Sequence, residues 1–213
     1  MEIFLHICCA NCSLYPIKVL REEGHDITGF WYNPNIHPYQ EYKMRLVAVK
    51  EMAEKFTLKM IYRDSYDLEL FLRKVVYRED VRCGVCYGIR LKTVAQEALN
   101  RGFRTFTSTL LYSKYQDFNG IIEIGETISK GYGLDFYKRD FRIGWEDGRK
   151  VSREMGFYRQ KYCGCIYSEK ERYLNEKGSR GQGVKDSSKN TRTLESLNPR
   201  TQNNDLKCSC SNP

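Results

Sequence analysis

Cysteine is the residue type that points most directly to chemistry in this chain, which contains nine cysteines in 213 residues. Seven of them occur in three short groups, Cys8–Cys12, Cys83–Cys86 and Cys163–Cys165. Each group stands at the predicted boundary of a strand or helix, where a loop can wrap around a ligand. Because two cysteines separated by two residues can reach one metal ion, these groups predict a metal site or an iron–sulfur cluster.

The adjacent pair Cys8 and Cys9 indicates more than one kind of sulfur chemistry. Neighbouring side chains of an extended chain point in opposite directions, so one iron does not easily bind both. The pair therefore favours two metal centres side by side, or one metal ligand next to a reactive thiolate. A [4Fe–4S] cluster needs four cysteines, and the remaining three fit a second metal with an open position, or thiols that face the substrate. Cys83 and Cys86 lie at a predicted helix start, where the helix dipole stabilises thiolates.

A structural zinc site is the conservative alternative for these cysteines. Such sites usually combine two Cys-x₂₋₄-Cys pairs, whereas this chain has a doublet at Cys8–Cys9 and a Cys-x-Cys at Cys163–Cys165. The last two cysteines, Cys208 and Cys210, lie in a polar C-terminal segment and are interpreted as thiols outside the folded core rather than as ligands.

Polar side chains that could contact a substrate follow several predicted strands. Asn33, Asn35 and His37 occupy a Pro- and Asn-rich loop, which suits either a substrate loop or ordinary turn chemistry. Asp117 and Asp140 could act as general acids, and each could equally cap a following helix. For the loop residues and for the two aspartates, a role at the substrate and a purely local structural role both stay open.

Basic and aromatic residues precede the third cysteine group. Arg142, Tyr158, Arg159 and Lys161 lead toward Cys163. Arginine and lysine can bind phosphates while tyrosine stacks on an unpaired base, so this segment is compatible with RNA binding. A run of charges is also typical of a solvated surface, and the two interpretations carry about equal weight.

Five apolar segments alternate with helical patterns and must position these residues. The predicted strands are Glu2–Cys8, Ile27–Tyr32, Leu58–Tyr62, Thr105–Leu111 and Leu134–Tyr137, and the predicted helices include Pro16–Glu23 and Tyr87–Leu99. This alternation predicts an α/β, Rossmann-like (HUP-like) fold, with a mostly parallel sheet and helices on both faces. The metal site is expected at the carboxyl ends of the strands. No Gly-rich nucleotide loop follows the first strand, and Cys8–Cys12 occupies that place.

Composition divides the chain near residue 177. Residues 1–176 contain all the aromatic residues and are expected to form the metal-binding catalytic domain. Residues 177–213 carry seven basic and three acidic residues out of a chain with net charge +8, and they predict a basic, disordered tail. No run of about 18 apolar residues and no signal-peptide pattern occurs, which favours a cytoplasmic protein without a membrane partner. In a reducing cytosol, many cysteines indicate metal or redox chemistry rather than structural disulfides.

Six segments carry a more specific pattern. They are His6–Ser13, Phe30–Pro38, Arg82–Leu91, Thr109–Ser113, Asp140–Arg142 and Tyr158–Ser168. Together, in the same order over about residues 1–168, they resemble the cobalamin-independent epoxyqueuosine reductases (QueH). Asn11 is a departure, because the family commonly has proline there. The resemblance implies the last step of queuosine synthesis, in which the epoxide of epoxyqueuosine at the wobble position of tRNA loses its oxygen.

The resemblance also implies cofactors and partners. The family uses a [4Fe–4S] cluster with a neighbouring iron, so we expect a [4Fe–4S] cluster and a second mononuclear metal, iron. The expected ligands are Cys8, Cys83, Cys86 and Cys163 for the cluster and Cys9, Cys12 and Cys165 for the second metal, with Cys9 and Cys12 counted as catalytic. The implied partners are tRNA containing epoxyqueuosine and a low-potential electron donor, with no role for DNA.

Two alternative functions remain open from the sequence. One is a metal-stabilised module that binds tRNA without catalysis. The other is a cysteine-based enzyme that transfers sulfur to tRNA. The second would need an activating nucleotide, and the loop that binds one is missing from the sequence.

Overall fold

The computed structural model describes the backbone of residues 1–180 and the side chains of residues 1–174. Short 3₁₀ turns at Glu79–Val81, Thr109–Tyr112 and Phe141–Gly144 supplement the main elements. The strands and α-helices, in chain order, are β1 (Glu2–Ile7), α1 (Ala10–Glu22), β2 (Asp26–Trp31), α2 (Tyr39–Lys55), β3 (Lys59–Tyr62), α3 (Leu68–Val75), α4 (Arg82–Asn100), β4 (Thr105–Ser108), α5 (Phe118–Tyr132), β5 (Asp135–Phe136), α6 (Trp145–Met155) and α7 (Ile166–Arg180).

The five strands form one parallel sheet in the order β3-β2-β1-β4-β5, which confirms the predicted α/β fold. Strand β1 lies at the centre and is fully buried from Ile3 to Ile7, because helices cover both faces of the sheet. The chain first winds from β1 toward β3 and then returns to place β4 on the other side of β1. Ligands of such sheets bind outside the carboxyl ends of the strands, where the winding reverses. That point lies here between β1 and β4.

The two helices that carry cysteines near their start, α1 and α4, begin earlier than the sequence predicts. Helix α1 begins at Ala10 rather than Pro16, and the Cys9 side chain caps it by accepting a hydrogen bond from the backbone N–H of Cys12. Helix α4 begins at Arg82 rather than Tyr87. Cys12, Cys83 and Cys86 therefore lie in the first turns of helices, close to backbone N–H groups without a partner inside the helix.

Helix α7 is absent from the sequence prediction and crosses the predicted domain boundary at residue 177. The rest of the predicted tail, including Cys208 and Cys210, lies outside the described residues. Among the residues described, no helix is both long enough and apolar enough to cross a membrane.

Candidate metal centre

All seven cysteines of the three sequence groups line one basin of about 820 Å³, which is open to solvent. They come from different parts of the chain: the end of β1 and start of α1, the first turns of α4, and the loop before α7. They meet at the edge of the sheet where β1 ends, and Leu110 and Ser113, which follow β4, line the same cavity. This is the edge of a parallel sheet at which ligands bind. We call this cavity the cysteine basin.

Cys8, Cys9 and Cys12 form a compact trio whose sulfur atoms all lie within 4.8 Å of one another. Thr109, directly after β4, holds the first cysteine of the trio. The backbone N–H of Cys8 donates to Thr109 Oγ1 at 3.0 Å, and that hydroxyl donates to Cys8 Sγ at 3.1 Å. Gln160 donates from Nε2 to Cys9 Sγ at 2.9 Å. Donors of this kind stabilise thiolates and tune the potential of a metal bound to them.

The trio shares its negative charge unequally. Hydrogen bonds from Cys12 and Cys9 hold the pKa of Cys8 well below its usual range. Burial raises the pKa of the Cys9 thiol, and the hydrogen bond to Cys8 raises the pKa of Cys12. Three sulfur atoms this close therefore need a bound cation in order to exist together as thiolates.

Three of the remaining four cysteines pack together in the basin. Cys86 and Cys165 are buried with Phe71 and Val75 of α3, and Cys163 packs against this group. Burial raises the pKa of the Cys165 thiol, and the nearby sulfurs of Cys163 and Cys86 raise it further. The predicted division of ligands, with Cys8, Cys83, Cys86 and Cys163 on the cluster and Cys9, Cys12 and Cys165 on the second metal, stays a prediction.

Arg45 of α2 holds the loop that carries Cys163 and Cys165. Its side chain is 3% exposed. It donates to Cys163 O at 2.9 Å, to Tyr162 O at 2.8 Å and to the Glu41 carboxylate at 2.7 Å. Gly164 lies between the two cysteines with φ +117°, a conformation that strongly favours glycine.

Arg90 of α4 is a second buried cation beside the thiols. It donates to Asn33 Oδ1 at 2.7 Å, and Asn33 in turn donates to the carbonyl of Ile7 at 2.9 Å. Another guanidinium nitrogen lies 3.8 Å from Cys86 Sγ. Asn33, predicted as a substrate contact, therefore links Arg90 to the end of β1.

The other two residues of the predicted substrate loop differ in position. Asn35 is buried and lines the basin, and its Oδ1 has no hydrogen-bond partner among the described residues. His37 is buried against Tyr66 and Phe71 and is not part of the basin lining. Burial lowers the pKa of His37 to about 4, and the Pro34 carbonyl partly opposes that shift.

The two predicted general acids have local structural contacts. Asp117 caps α5 by accepting from the Gly120 N–H at 3.0 Å. Asp140 accepts two hydrogen bonds from the Arg142 guanidinium, at 2.8 and 2.7 Å, and this pairing holds the pKa of Asp140 below its ordinary value. Neither aspartate is among the residues that line the basin.

None of the predicted basic and aromatic contacts is among the residues that line the basin. Arg142 lies over the ring of Phe118, 3.9 Å from its centroid. The Tyr158 hydroxyl donates to Glu41. Arg159 and Lys161 are exposed, and Arg159 lines a second cleft beside the basin.

Sequence reasoning did not single out four residues that the structure places around the sulfurs. Arg45, Arg90, Gln160 and Trp145 line the basin. Gln160 lies within the segment before Cys163, so its motif was visible. Arg90 also lies within a named segment, Arg82–Leu91, whereas Arg45 gave only the ordinary signal of a charged residue on a helix.

Comparison with known proteins agrees with these observations. A family model described as "Epoxyqueuosine reductase QueH" matches residues 3–171. A protein of that name from Dehalococcoides mccartyi is 35% identical over 172 residues, which are 81% of this chain and 94% of that protein. One from Thermotoga maritima is 37% identical over 179 residues, covering 80% and 91% of the two chains.

A solved structure shares the fold at low sequence identity. It is the U34-tRNA thiolase NcsA from Methanococcus maripaludis with its [4Fe-4S] cluster. The TM-score is 0.55 at 13% identity, and the match covers 85% of this chain and 68% of that one. At this identity the likeness shows a common architecture.

Proposed function

Because this chain belongs to the epoxyqueuosine reductase QueH family, it is an oxidoreductase that reduces epoxyqueuosine to queuosine in tRNA, and we propose that the cysteine basin is its active site. The observation that carries the proposal is the convergence of seven thiols, from three separate segments, in one open cavity. Reduction breaks the two C–O bonds of the epoxide and forms an alkene. It consumes two electrons and two protons and releases the oxygen as water.

The basin fits redox metals by its chemistry. Thiolates are soft ligands that select iron–sulfur clusters, iron or zinc. Asn35 Oδ1 and Arg90 Nε are buried, line the basin and lack hydrogen-bond partners among the described residues, so both can contact a bound group. When bound, a [4Fe–4S] cluster supplies single electrons, and a second metal with an open position supplies a Lewis acid for the epoxide oxygen.

The geometry favours a particular division of ligands. Cys83, Cys86, Cys163 and Cys165 supply four thiolates, the number that a [4Fe–4S] cluster takes. Cys8, Cys9 and Cys12 supply three, within 4.8 Å of one another, which leaves a position for substrate on a second metal. This proposal replaces the division expected from the sequence.

The residues around the sulfurs hold and stabilise the thiolate ligands. Thr109 and Gln160 donate hydrogen bonds to Cys8 and Cys9 and so keep these sulfurs available as thiolates. Arg45 and Arg90 place two positive charges beside a strongly negative ligand set, which lowers the cost of burying it. Asn35 lines the basin and its side-chain carbonyl has no hydrogen-bond partner among the described residues, and we assign it to the polar ring of the substrate.

The substrate and electron donor complete the proposal. Epoxyqueuosine-containing tRNA would approach over the rim that carries Arg159 and Lys161, whose charges suit phosphates. A low-potential donor supplies the electrons. The location that this chemistry requires is the cytoplasm, where tRNA is modified.

The test is a turnover assay on reconstituted protein. Protein loaded anaerobically with iron and sulfide is incubated with dithionite and epoxyqueuosine-containing tRNA, and the nucleosides are analysed by mass. The expected product has lost one oxygen atom. Unchanged epoxyqueuosine with fully loaded protein would contradict the proposal and favour a binding module.

Cysteine variants test the site itself. Cys83→Ser is expected to lower iron content and abolish reduction, because it removes a cluster ligand. Cys12→Ser is expected to remove the second metal while retaining cluster absorbance. Cys208→Ser is the matched control, since the sequence assigns no ligand role there, and its iron content and turnover should equal those of the unmodified chain.

A further inference from the structure

A second cleft adjoins the cysteine basin and has no role in the proposal so far. It is open to solvent, and its space is about 460 Å³ when the part open to solvent is included. We call it the side cleft. It shares Cys12, Trp145 and Gln160 with the basin, and Arg149 and Arg159 lie in its wall. Cys12 therefore borders both cavities.

Trp145 forms the wall between the two cavities and is held firmly in place. Its ring centroid lies 5.1 Å from that of Tyr112 at an interplanar angle of 35°, and 5.4 Å from that of Tyr115 at 74°. The Tyr112 hydroxyl donates to the carbonyl of Trp145 at 3.0 Å. Gly148, one turn later on α6, leaves room for that hydroxyl, since a Cβ there would lie 2.2 Å from it.

The exposure of Trp145 distinguishes it from a core residue. The other tryptophan, Trp31, is 0% exposed, whereas Trp145 is half-buried and lines two open cavities. A rigid aromatic ring that is kept accessible is a stacking surface for a nucleobase. The described lining of the side cleft includes two arginines and no carboxylate, and Arg149 also forms an exposed ion pair with Glu146 at 3.7 Å. Two guanidinium groups suit a phosphate, and an exposed ion pair is weak enough to be exchanged for one.

We propose that Trp145 is the platform on which the wobble nucleobase of the substrate tRNA stacks, with Arg149 and Arg159 binding the adjacent phosphates. This inference rests on the proposed function, because the epoxide is a substituent of that base. A base in the side cleft directs its substituent toward Cys12, whereas its sugar and phosphates stay at the solvent side. The side cleft thus binds the base, and the basin receives the reacting ring.

The test uses two anticodon stem-loop RNAs that cannot react. One has guanosine at the wobble position, and the other has an abasic residue there. Binding to iron-loaded protein is measured for the unmodified chain, Trp145→Ala and Trp145→Phe. Loss of one stacked base is expected to weaken binding of the guanosine RNA by about 5- to 150-fold in Trp145→Ala. Binding of the abasic RNA should stay unchanged, and Trp145→Phe should retain most of the affinity.

The comparison of the two RNAs separates stacking from a structural effect. Equal losses on both RNAs would show that Trp145 only supports the fold, and this would overturn the proposal. A loss in Trp145→Phe as large as in Trp145→Ala would also overturn it, because a phenyl ring can still stack. Iron content and thermal unfolding verify that each variant is loaded and folded.

A failure of the Trp145 proposal can be told apart from a failure of the proposed reductase function. Turnover of epoxyqueuosine-containing tRNA by the unmodified chain tests the function alone. A chain that shows the base-dependent binding but no reduction would support the platform and contradict the reductase assignment. In an active chain, Trp145→Ala is expected to raise KM by more than it lowers kcat.

Discussion

Replacing Arg45 with glutamine is expected to destabilise the protein far more than replacing Arg101, although both arginines form the same kind of helical ion pair. Each pairs with a glutamate four residues earlier, Glu41 on α2 and Glu97 on α4. The Arg45 pair is 3% and 7% exposed with a 2.7 Å contact, whereas the Arg101 pair is 44% and 24% exposed with a 3.2 Å contact.

The magnitude follows from burial. Removing one partner of a buried ion pair costs about 3–5 kcal/mol, because the other charge is left without compensation. In Arg45→Gln the Glu41 carboxylate keeps the Tyr158 hydroxyl but loses its cation, and the carbonyls of Tyr162 and Cys163 lose their donor. An exposed pair of this type contributes only about 0.3–0.5 kcal/mol, which is the loss expected for Arg101→Gln.

The assay compares the free energy of unfolding in urea for both variants after anaerobic loading with iron. A second measurement follows iron release to a chelator, because the Arg45 contacts hold the loop of Cys163 and Cys165. We expect faster release in Arg45→Gln and no change in Arg101→Gln. The double variant Glu41→Gln with Arg45→Gln should recover part of the lost stability, since it removes the unpaired charge. Equal losses for Arg45→Gln and Arg101→Gln would refute the reasoning.

Three further changes probe the surroundings of the basin. Gly164→Ala places a Cβ 3.0 Å from Ile36 Cγ1 at a φ that favours glycine and should cost roughly 1–3 kcal/mol in urea unfolding, whereas Gly131→Ala, in an open helical position, should gain up to about 1 kcal/mol. The folded pKa of His37, about 4, lies below the ordinary 6.5, so the unfolded chain binds the proton more readily and stability is lost as pH falls from about 6.5 to about 4. His37→Phe should show a shallower decline over this range in thermal unfolding, and an equal decline would contradict the prediction. Asn11→Ala removes the donor to Tyr158 O at 2.8 Å and to Gln160 Oε1 at 2.9 Å, so Gln160 should hold Cys9 less firmly. Loss of iron to a chelator should then be faster, and unchanged release would argue against this support.

Local signals in the sequence predicted the elements better than their ends. The apolar run of β1 and the spacing of the α4 helix were visible, but the start of α1 was misplaced by six residues. The cap there is the thiol of Cys9, which is not among the side chains that usually begin a helix. The segment Ile166–Arg180 is rich in charged residues and gave no apolar stripe, so α7 was missed.

The roles of individual polar residues were harder to predict than the presence of a metal site. Asp117 and Asp140 had the right chemistry for general acids, yet each interacts with neighbours within three residues. Arg45 gave no special signal, and its contacts with Tyr162 and Cys163 join residues more than 100 positions apart. Sequence patterns report local geometry, whereas these contacts depend on how distant elements pack.

The sequence by itself determined that this is an α/β protein with seven cysteines at three element boundaries, because residue type, spacing and periodicity are local properties of the chain. It also carried the family pattern in the order of its motifs. Only the tertiary structure decided which thiols are neighbours, which cations are buried beside them, and that Trp145 stands between the basin and the side cleft. Those facts arise where β1 and β4 end together at one edge of the sheet, and they depend on distances that sequence separation does not encode.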